Sequence, residues 1–363
     1  MKMTCKSELL KFLEERNGRK VVVMPDFFLD RIISLDHGLT RFSSMLSDVA
    51  TRKGGSIDGI PQVDVIGGNA MNTASALAAL GTKVTPIICT GKLGLQQIKL
   101  LLGQYNGDCS HVKIAEKTSV TTALEFDTGN EKRNVMLRDV GSLSNFGPSD
   151  LNDSDYELIE NADYVCLFNW AGTRKFGTKL AETVFSRTKT KGKGKTYFDT
   201  ADPTPNGEKI PELMETVLKK RQVDILSLNE NEAIRYGTLL DDEIAKPREE
   251  TRLEKLAMKA ARVLAKHLSA RIDLHTTAFS ATFKRKQEIT VPAFRIKPLR
   301  ATGAGDAWNA GNILGDGSSL SDEARLTLAN AVSACYLTDP HGQHPTRENL
   351  TRFIQKCELT PAK

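Results

Sequence analysis

A segment of very small residues ends in a single acid in the carboxyl-terminal part of the sequence. Thr302-Gly303-Ala304-Gly305-Asp306 precedes Ala307-Trp308-Asn309-Ala310-Gly311, which is typical of a helix. Small residues let an anion approach the free N–H groups at a helix N-terminus, and a neighbouring carboxylate can accept a proton. Phosphoryl transfer to a hydroxyl needs both. The segment therefore predicts a small-molecule kinase with Asp306 as general base, although a glycine-rich turn before an acid in a first helical turn has the same pattern.

A glycine pair opens another predicted helix, which runs from about 69 to 80. Gly67 and Gly68 allow close approach of a ligand to the backbone, and the free helical N–H groups can donate to hydroxyl oxygens. Asn72 offers a donor and an acceptor, which suits a polyol. The same residues are also compatible with a Gly-Gly turn in which Asn69 is the N-cap.

Further polar residues follow predicted strands. Asp26 and Asp30 come after the apolar run Lys20–Met24, at the end of a strand where ligands bind in open α/β sheets. Asn229 and Glu232 form N-x-x-E after a strand that ends at Leu228. This pattern is typical of a capping box, and Glu232 could equally organise water around Mg²⁺.

The overall composition is that of an ordinary globular protein. The chain has 363 residues, 40% of them hydrophobic, and a net charge of +5 that is too small and dispersed to indicate nucleic-acid binding. Its six cysteines are widely spaced, and no apolar run approaches the length of a membrane span. These features predict a reduced, cytoplasmic protein that binds neither nucleic acid nor membrane.

Short apolar runs alternate with helix-length segments over much of the chain. Such runs occur at 164–168, 195–199, 223–228 and 271–275. The alternation predicts a mostly parallel sheet covered by helices on both faces. Extended segments at about 30–65 and 112–140, the second with a turn at 127–130, are expected to form a small separate sheet.

Three motifs occur in order along the chain: the early Gly-Gly with Asn72, the central N-x-x-E and the late T-G-A-G-D. With these motifs the sequence closely resembles the ribokinase-like (PfkB) kinase family. The resemblance covers about Val21 to Arg347. It implies a single α/β domain over 1–363, a three-layer αβα sandwich whose lid is formed by 30–65 and 112–140. It also implies phosphorylation of a sugar, polyol or nucleoside hydroxyl with ATP and Mg²⁺, and a homodimer formed through the lid.

The resemblance also implies roles for individual residues. Asp306 corresponds to the catalytic base, and the anion hole is Gly303, Ala304 and Gly305. Substrate contacts correspond to Asp30, Gly67, Gly68 and Asn72. Nucleotide contacts correspond to Asn229, Thr276, Thr302 and Asn330, and the metal residue is Glu232.

The sequence departs from the family pattern at three places. Arg300 and Ala301 replace an Asp-Thr pair that commonly contributes to a monovalent-cation site, and Arg300 could instead bring positive charge to the phosphates. The glycine-containing nucleotide strand is altered at 276–281. Pro203 stands where relatives acting on acidic sugars carry Arg, which favours a neutral substrate. The lid geometry nevertheless leaves four arginines as candidate anion ligands: Arg31, Arg133, Arg138 and Arg174.

Other functional classes are less compatible with the sequence. No G-x-G-x-x-G follows the first strand and no G-x-x-x-x-G-K-[ST] is present, which excludes dinucleotide-dependent dehydrogenases and P-loop ATPases. The alternative that stays open is a non-catalytic sugar- or nucleotide-binding regulator with the same fold. Retention of Asp306 with its anion hole favours the enzyme.

Overall fold

The structure is a computed structural model that describes residues 3–15, 18–127, 132–246, 252–284, 287–300 and 302–356. Most of the turn predicted at 127–130 lies outside the described residues, as does Ala301. None of the described helices is long and apolar enough to cross a membrane.

Helices and strands alternate along most of the chain. The strands are β1 (Lys20–Met24), β2 (Phe28–Leu35), β3 (Gln62–Gly67), β4 (Lys83–Pro86), β5 (Cys89–Thr90), β6 (Lys113–Ile114), β7 (Ser119–Asp127), β8 (Lys132–Asp139), β9 (Tyr164–Phe168), β10 (Lys195–Asp199), β11 (Ile225–Leu228), β12 (Arg271–His275), β13 (Phe279–Lys284) and β14 (Gln287–Pro292). The helices are α1 (Met3–Glu14), α2 (Leu39–Thr51), α3 (Asn69–Ala79), α4 (Lys92–Gly103), α5 (Asp153–Asn161), α6 (Gly177–Thr190), α7 (Ile210–Thr216), α8 (Glu230–Gly237), α9 (Asp242–Ala245), α10 (Leu253–His267), α11 (Ala304–Gly317), α12 (Asp322–Thr338) and α13 (Arg347–Lys356).

The large sheet has eight strands in the order β14-β13-β12-β11-β10-β9-β1-β4. The pairs from β4 to β12 are parallel, and β13 and β14 add antiparallel at one edge. Because parallel strands end at the same edge of a sheet, the residues that follow β1, β10, β11 and β12 come together there. The prediction of a mostly parallel sheet is confirmed.

Two hydrophobic cores cover the two faces of this sheet. Val22 and Met24 belong to a core shared with α5, α6, α8 and α10, whereas Val21 and Val23 belong to a core shared with α1, α3, α11 and α12. Since successive strand residues point to opposite faces, the two cores lie on opposite sides of β1. The predicted three-layer αβα sandwich is therefore confirmed.

A smaller separate sheet has the order β3-β2-β7-β8, with β2 and β7 parallel and the other pairs antiparallel. We call it the small sheet. Its strands lie in the two segments predicted to form it, except that β2 and β3 extend slightly beyond 30–65. The small sheet is confirmed as a structural unit, and its action as a lid stays a prediction.

Two elements differ from the sequence-based predictions. The segment at about 30–65, which was expected to be extended, contains α2, whose half-buried residues Phe42, Met45 and Val49 have helical spacing. The ring of Phe42 lies 5.9 Å from that of Phe126 on β7, so α2 packs against the small sheet. The antiparallel pair β13–β14 was not predicted either.

Candidate active site

A cavity of about 700 Å³ lies where β10, β11 and β12 end and α11 begins. The predicted residues that line it are Asn229, Glu232, Thr276, Gly303, Ala304, Gly305, Asp306 and Asn330. The fold thus brings the predicted catalytic, metal and nucleotide residues to one cavity, apart from Thr302, which is exposed.

Asp306 lies in the first turn of α11 with 6% of its surface exposed. Asn69 donates from Nδ2 to its Oδ1 at 2.8 Å, and Asn72 donates from Nδ2 to its Oδ2 at 2.9 Å. Burial raises the pKa of Asp306 well above the usual carboxyl range, whereas the Asn72 hydrogen bond lowers it. A buried carboxyl group with a raised pKa and a fixed orientation suits general-base chemistry.

The N-terminus of α11 lies in the cavity wall without a side-chain cap. Gly303 is the N-cap with a φ of 80°, and a Cβ there would lie 2.5 Å from the hydroxyl oxygen of Tyr336. A Cβ on Gly305 would lie 3.3 Å from Cε1 of His275. Since the first N–H groups of a helix have no intrahelical acceptor, this wall suits an anion.

Asn229 and Glu232 form a capping box at the start of α8, and both line the cavity. Oδ1 of Asn229 accepts from the Glu232 N–H at 3.0 Å, and Oε2 of Glu232 accepts from the Asn229 N–H at 2.9 Å. Burial raises the pKa of Glu232 well above its ordinary value, and the nearby charges of Asp199 and Asp202 raise it further. The capping box forms, and its Glu232 also lies in an acidic wall of the cavity. The structure is therefore compatible with both interpretations of N-x-x-E, the helix cap and the Mg²⁺ site.

This acidic wall suits a cation that keeps its water. Within the described ranges, no three His, Cys, Asp or Glu side chains are grouped so that they could hold a metal ion directly. Mg²⁺ commonly retains several waters and needs one or two carboxylates. The donor set is therefore compatible with a hydrated Mg²⁺ that also contacts nucleotide phosphates.

Two residues predicted to contact the nucleotide also hold the cavity wall together. The hydroxyl of Thr276 donates to the carbonyl oxygen of Phe279 at 2.8 Å and closes the turn between β12 and β13. Oδ1 of Asn330 accepts from Nε1 of Trp308 at 3.0 Å, and its Nδ2 donates to the carbonyl oxygen of Pro292 at 3.1 Å. Contact of either residue with a nucleotide stays a prediction.

The expectation about the N-terminus of α3 needs correction. The backbone N–H groups of Asn69 and Ala70 each donate to the carboxylate of Asp26 at 2.8 Å, so they are not free for substrate hydroxyls. Asp26 is fully buried and caps this helix, and Asn69 is not its N-cap. Gly68 takes that position with a φ of 97°, and a Cβ there would lie 2.9 Å from the Asp26 carbonyl oxygen.

Asp30 and Gly67 lie against each other on neighbouring strands of the small sheet. A Cβ on Gly67 would overlap the Asp30 carboxylate, so glycine is required for this contact. Oδ1 of Asp30 is buried and has no hydrogen-bond partner among the described residues. A buried acceptor without a donor is costly, and a ligand hydroxyl could supply one.

Three residues of the site were missed as functional candidates. Asn69 orients Asp306, Asp199 accepts from Nδ2 of Asn309 at 2.7 Å, and His275 packs on Trp308 with ring centroids 4.8 Å apart. Burial lowers the pKa of His275 to about 4, and its Nε2 has no described partner. The available signal was position, because Asp199 and His275 are the last residues of β10 and β12.

Arg300 is held behind the N-terminus of α11. Its guanidinium carbon lies 5.4 Å from the centre of the Tyr336 ring, and its Nη2 donates to the carbonyl oxygen of Asp339. The Tyr336 hydroxyl adjoins Gly303, so the Tyr336 ring lies between Arg300 and the N-terminus of α11. That Arg300 brings positive charge to the phosphates stays a prediction.

Comparisons with known proteins agree with this architecture. Residues 53–349 match the pfkB family of carbohydrate kinases. The ribokinase of Haemophilus influenzae is 23% identical over 311 residues, which are 84% of this chain and 92% of that protein. The ribokinase of Arabidopsis thaliana, solved with ribose and ATP, has a TM-score of 0.69 at 18% identity and covers 94% of this chain and 100% of its own. A nucleoside kinase of Methanocaldococcus jannaschii has a TM-score of 0.67 at 16% identity over 94% and 100% of the two chains. The chain is therefore a member of the pfkB family of carbohydrate kinases.

Proposed function

We propose that this protein transfers the terminal phosphate of ATP to a hydroxyl of a sugar, polyol or nucleoside. The observation that carries the proposal is the buried Asp306 carboxylate, oriented by two amides beside the uncapped N-terminus of α11. The adjoining cavity of about 700 Å³ is of the size that small-molecule sites have.

Each residue of the site has a separate role in the proposed reaction. Asp306 accepts the proton of the substrate hydroxyl as its oxygen attacks the terminal phosphate, and the N–H groups of 303–305 donate to the phosphate oxygens. Asp30 and Asn72 hold the substrate beside Gly67 and Gly68. Mg²⁺, held through water by Glu232 and Asp202, would neutralise phosphate charge.

We further propose that the small sheet acts as a lid within a single domain and excludes water that could otherwise accept the phosphate. Its edge strand β8 exposes Val135 and Leu137, with 47% and 58% of their surfaces accessible. Exposed edge strands pair readily, which supports a homodimer through this sheet.

A turnover assay tests the proposed function. Purified protein is assayed for ADP release with ATP and Mg²⁺, with and without EDTA, across pentoses, hexoses, inositols, sugar phosphates, sugar acids and nucleosides. We expect Mg²⁺-dependent turnover of one substrate class. Ligand binding without turnover of any compound would instead support the regulator that the altered 276–281 segment leaves open.

The Asn72 hydrogen bond gives a prediction about pH. It stabilises ionised Asp306, so we expect its loss in Asn72→Ala to raise the Asp306 pKa further. The acidic limb of kcat against pH should then move up by about one pH unit, because the base must be deprotonated. Asn161→Ala removes an exposed amide that bonds only its own helix and should leave the profile unchanged. Coincident profiles for the two variants would contradict the assignment.

A further inference from the structure

A guanidinium group lies behind the helix N-terminus that forms the proposed anion hole. The chain reaches this place after β14, where the N–H of Leu299 donates to the carbonyl oxygen of Leu337 on α12 at 2.8 Å. Arg300 follows directly and is half-buried. Its guanidinium carbon lies 5.4 Å from the centre of the Tyr336 ring, and the hydroxyl oxygen of that ring would lie 2.5 Å from a Cβ on Gly303. A single aromatic ring therefore connects the guanidinium to the N-cap of α11.

Backbone groups of the loop that follows α12 hold this guanidinium. Its Nη2 donates to the carbonyl oxygen of Asp339. A Cβ on Gly342 would overlap Nη1, and Gly342 has a φ of 71°, so the close approach of the loop requires glycine at this position. The carboxylate of Asp339 is used within the loop, where Oδ1 accepts from the N–H groups of His341 and Gln343 at 2.9 Å each.

Arg300 has no carboxylate partner at contact distance. Among the described residues, no Asp or Glu oxygen lies within 4.0 Å of its side-chain nitrogens, and its Nε is buried without a hydrogen-bond partner. His344 stacks on Tyr336 with ring centroids 4.6 Å apart. Burial, with a smaller contribution from the Arg300 charge, lowers the pKa of His344 to about 4, so this ring is uncharged near neutral pH. The positive charge behind the N-cap of α11 is therefore that of Arg300.

The other arginines considered as anion ligands are placed differently. Arg31 has a carboxylate partner at 2.7 Å on the small sheet. The side chain of Arg133 lies outside the described part of the structure. Arg138 and Arg174 are not among the described residues that line the cavity. Of these five arginines, Arg300 is the one whose described contacts lead to the N-cap of α11.

A monovalent cation does not fit this arrangement. The family commonly carries the Asp of a cation site at the position of Arg300, and here that position is itself positively charged. The carbonyl oxygen of Asp339, which is the kind of ligand that such a cation needs, already accepts from Arg300. A second cation beside the guanidinium would also be repelled by it.

We infer that Arg300 is a permanent cation behind the anion hole, which stabilises the charge that develops on the transferred phosphate and makes transfer independent of monovalent cations. This inference rests on the proposed function. The charge of Arg300 adds to the partial positive charge of the α11 N-terminus. Because its position is fixed before the reaction, it needs no rearrangement when the phosphate charge develops. The Tyr336 ring separates it from Gly303, so Arg300 is a positioning residue that acts through the anion hole.

The test compares cations and matched variants. Wild-type protein, Arg300→Met, Arg300→Lys and Arg347→Met are assayed with K⁺ or with tetramethylammonium as the sole added monovalent cation, and again with millimolar guanidinium. Methionine keeps most of the apolar stem and removes the charge. Arg347 is the matched control, since it stacks on Phe12 at 4.8 Å and also donates to backbone carbonyl oxygens, including that of Leu80 at 2.9 Å.

The response to cations should distinguish Arg300 from its control. We expect wild-type kcat to agree within about twofold in the two buffers, and Arg300→Met to lower kcat about 10-fold in tetramethylammonium. K⁺ or guanidinium should restore part of this loss, and Arg300→Lys, which keeps the charge, should retain most of the activity. The kcat of Arg347→Met should respond to neither cation.

Two results would overturn the inference and leave the kinase intact. Wild-type turnover that requires K⁺ would do so without any variant. The other is a loss of kcat in Arg300→Met that neither cation restores and that accompanies a lower unfolding midpoint. In that case Arg300 would only fasten the loop after α12.

Calorimetric titration with ATP and Mg²⁺ separates this inference from the proposed function. If wild-type protein turns over no compound, the kinase is contradicted, and the ATP affinity then decides the role of Arg300. Weaker binding by Arg300→Met that guanidinium restores would support a cation behind the anion hole. Equal affinities of wild type and Arg300→Met would overturn it.

Discussion

Asp306→Asn should lower kcat by about 10² or more while leaving the dissociation constant of the substrate nearly unchanged, as expected for loss of a general base. Asparagine has the shape of aspartate and no basic oxygen at neutral pH, so the hydroxyl proton loses its acceptor. The N–H groups of 303–305 are backbone groups and stay in place. The effect should therefore appear in kcat far more than in binding.

Two measurements make this prediction specific. Single-turnover kinetics report the chemical step, and calorimetry without nucleotide reports substrate binding. Asp163→Asn is a matched control, because Asp163 is partly exposed and pairs with Arg19 at 3.3 Å beside the amino ends of β1 and β9, away from the cavity. A near-normal kcat in Asp306→Asn would exclude Asp306 as the base. A loss of binding equal to the loss in kcat/KM would assign it a binding role instead.

The sequence predicted those strands whose apolar residue pattern agrees with their burial in the fold. β1, β9, β10 and β12 have the predicted bounds because strands buried on both faces are continuous apolar runs flanked by polar residues. α2 was missed because its stripe of Phe42, Met45 and Val49 is broken up by serines, and its neighbours are polar and glycine-rich. β14 is an edge strand whose exposed residues hide the pattern of a strand, and β13, although mostly buried, has the polar residues Ser280 and Thr282 within its apolar run.

The motif residues of the site could be predicted because each lies beside a turn or helix start whose chemistry is local. The groups that orient them could not. Asn69 and Asp306 are separated by 237 positions, and their hydrogen bond depends on how α3 packs against α11. Asp26 was placed correctly at a strand end, but its role as a helix cap depends on the approach of Gly68. Sequence spacing thus indicated which groups react, whereas packing determines how they are held.

The second prediction with a large expected effect concerns stability, and it rests on the buried charges beneath α11. Asp273 on β12 is fully buried and accepts from Nη2 of Arg271 at 2.9 Å, Nη1 of Arg325 at 3.1 Å and Nδ2 of Asn312 at 2.9 Å. Burial opposes its ionisation, but the charges of the two arginines outweigh burial and lower its pKa to about 2. Arg325 is itself 1% exposed, and its other carboxylate partner, Asp322 at 2.9 Å, is partly exposed, so Asp273 is its buried counter-ion.

Asp273→Asn should therefore lower the free energy of unfolding by about 3 kcal/mol, since Arg325 and Arg271 lose the buried carboxylate that they share and the new amide N–H groups face other donors. Urea unfolding at neutral pH measures this change, and Asp64→Asn, which breaks the exposed pair with Arg31, should cost less than about 1 kcal/mol.

The pH dependence of stability distinguishes an effect of the Asp273 charge from an effect of its packing. A depressed carboxyl pKa contributes stability that is complete above about pH 4 and is lost as pH falls towards the folded pKa of about 2. Asp273→Asn should lack this loss, so the difference in stability between wild type and variant should shrink as pH falls from 4 to 2. A difference that stays constant over that range would mean that packing, and not the charge of Asp273, stabilises the layer beneath α11.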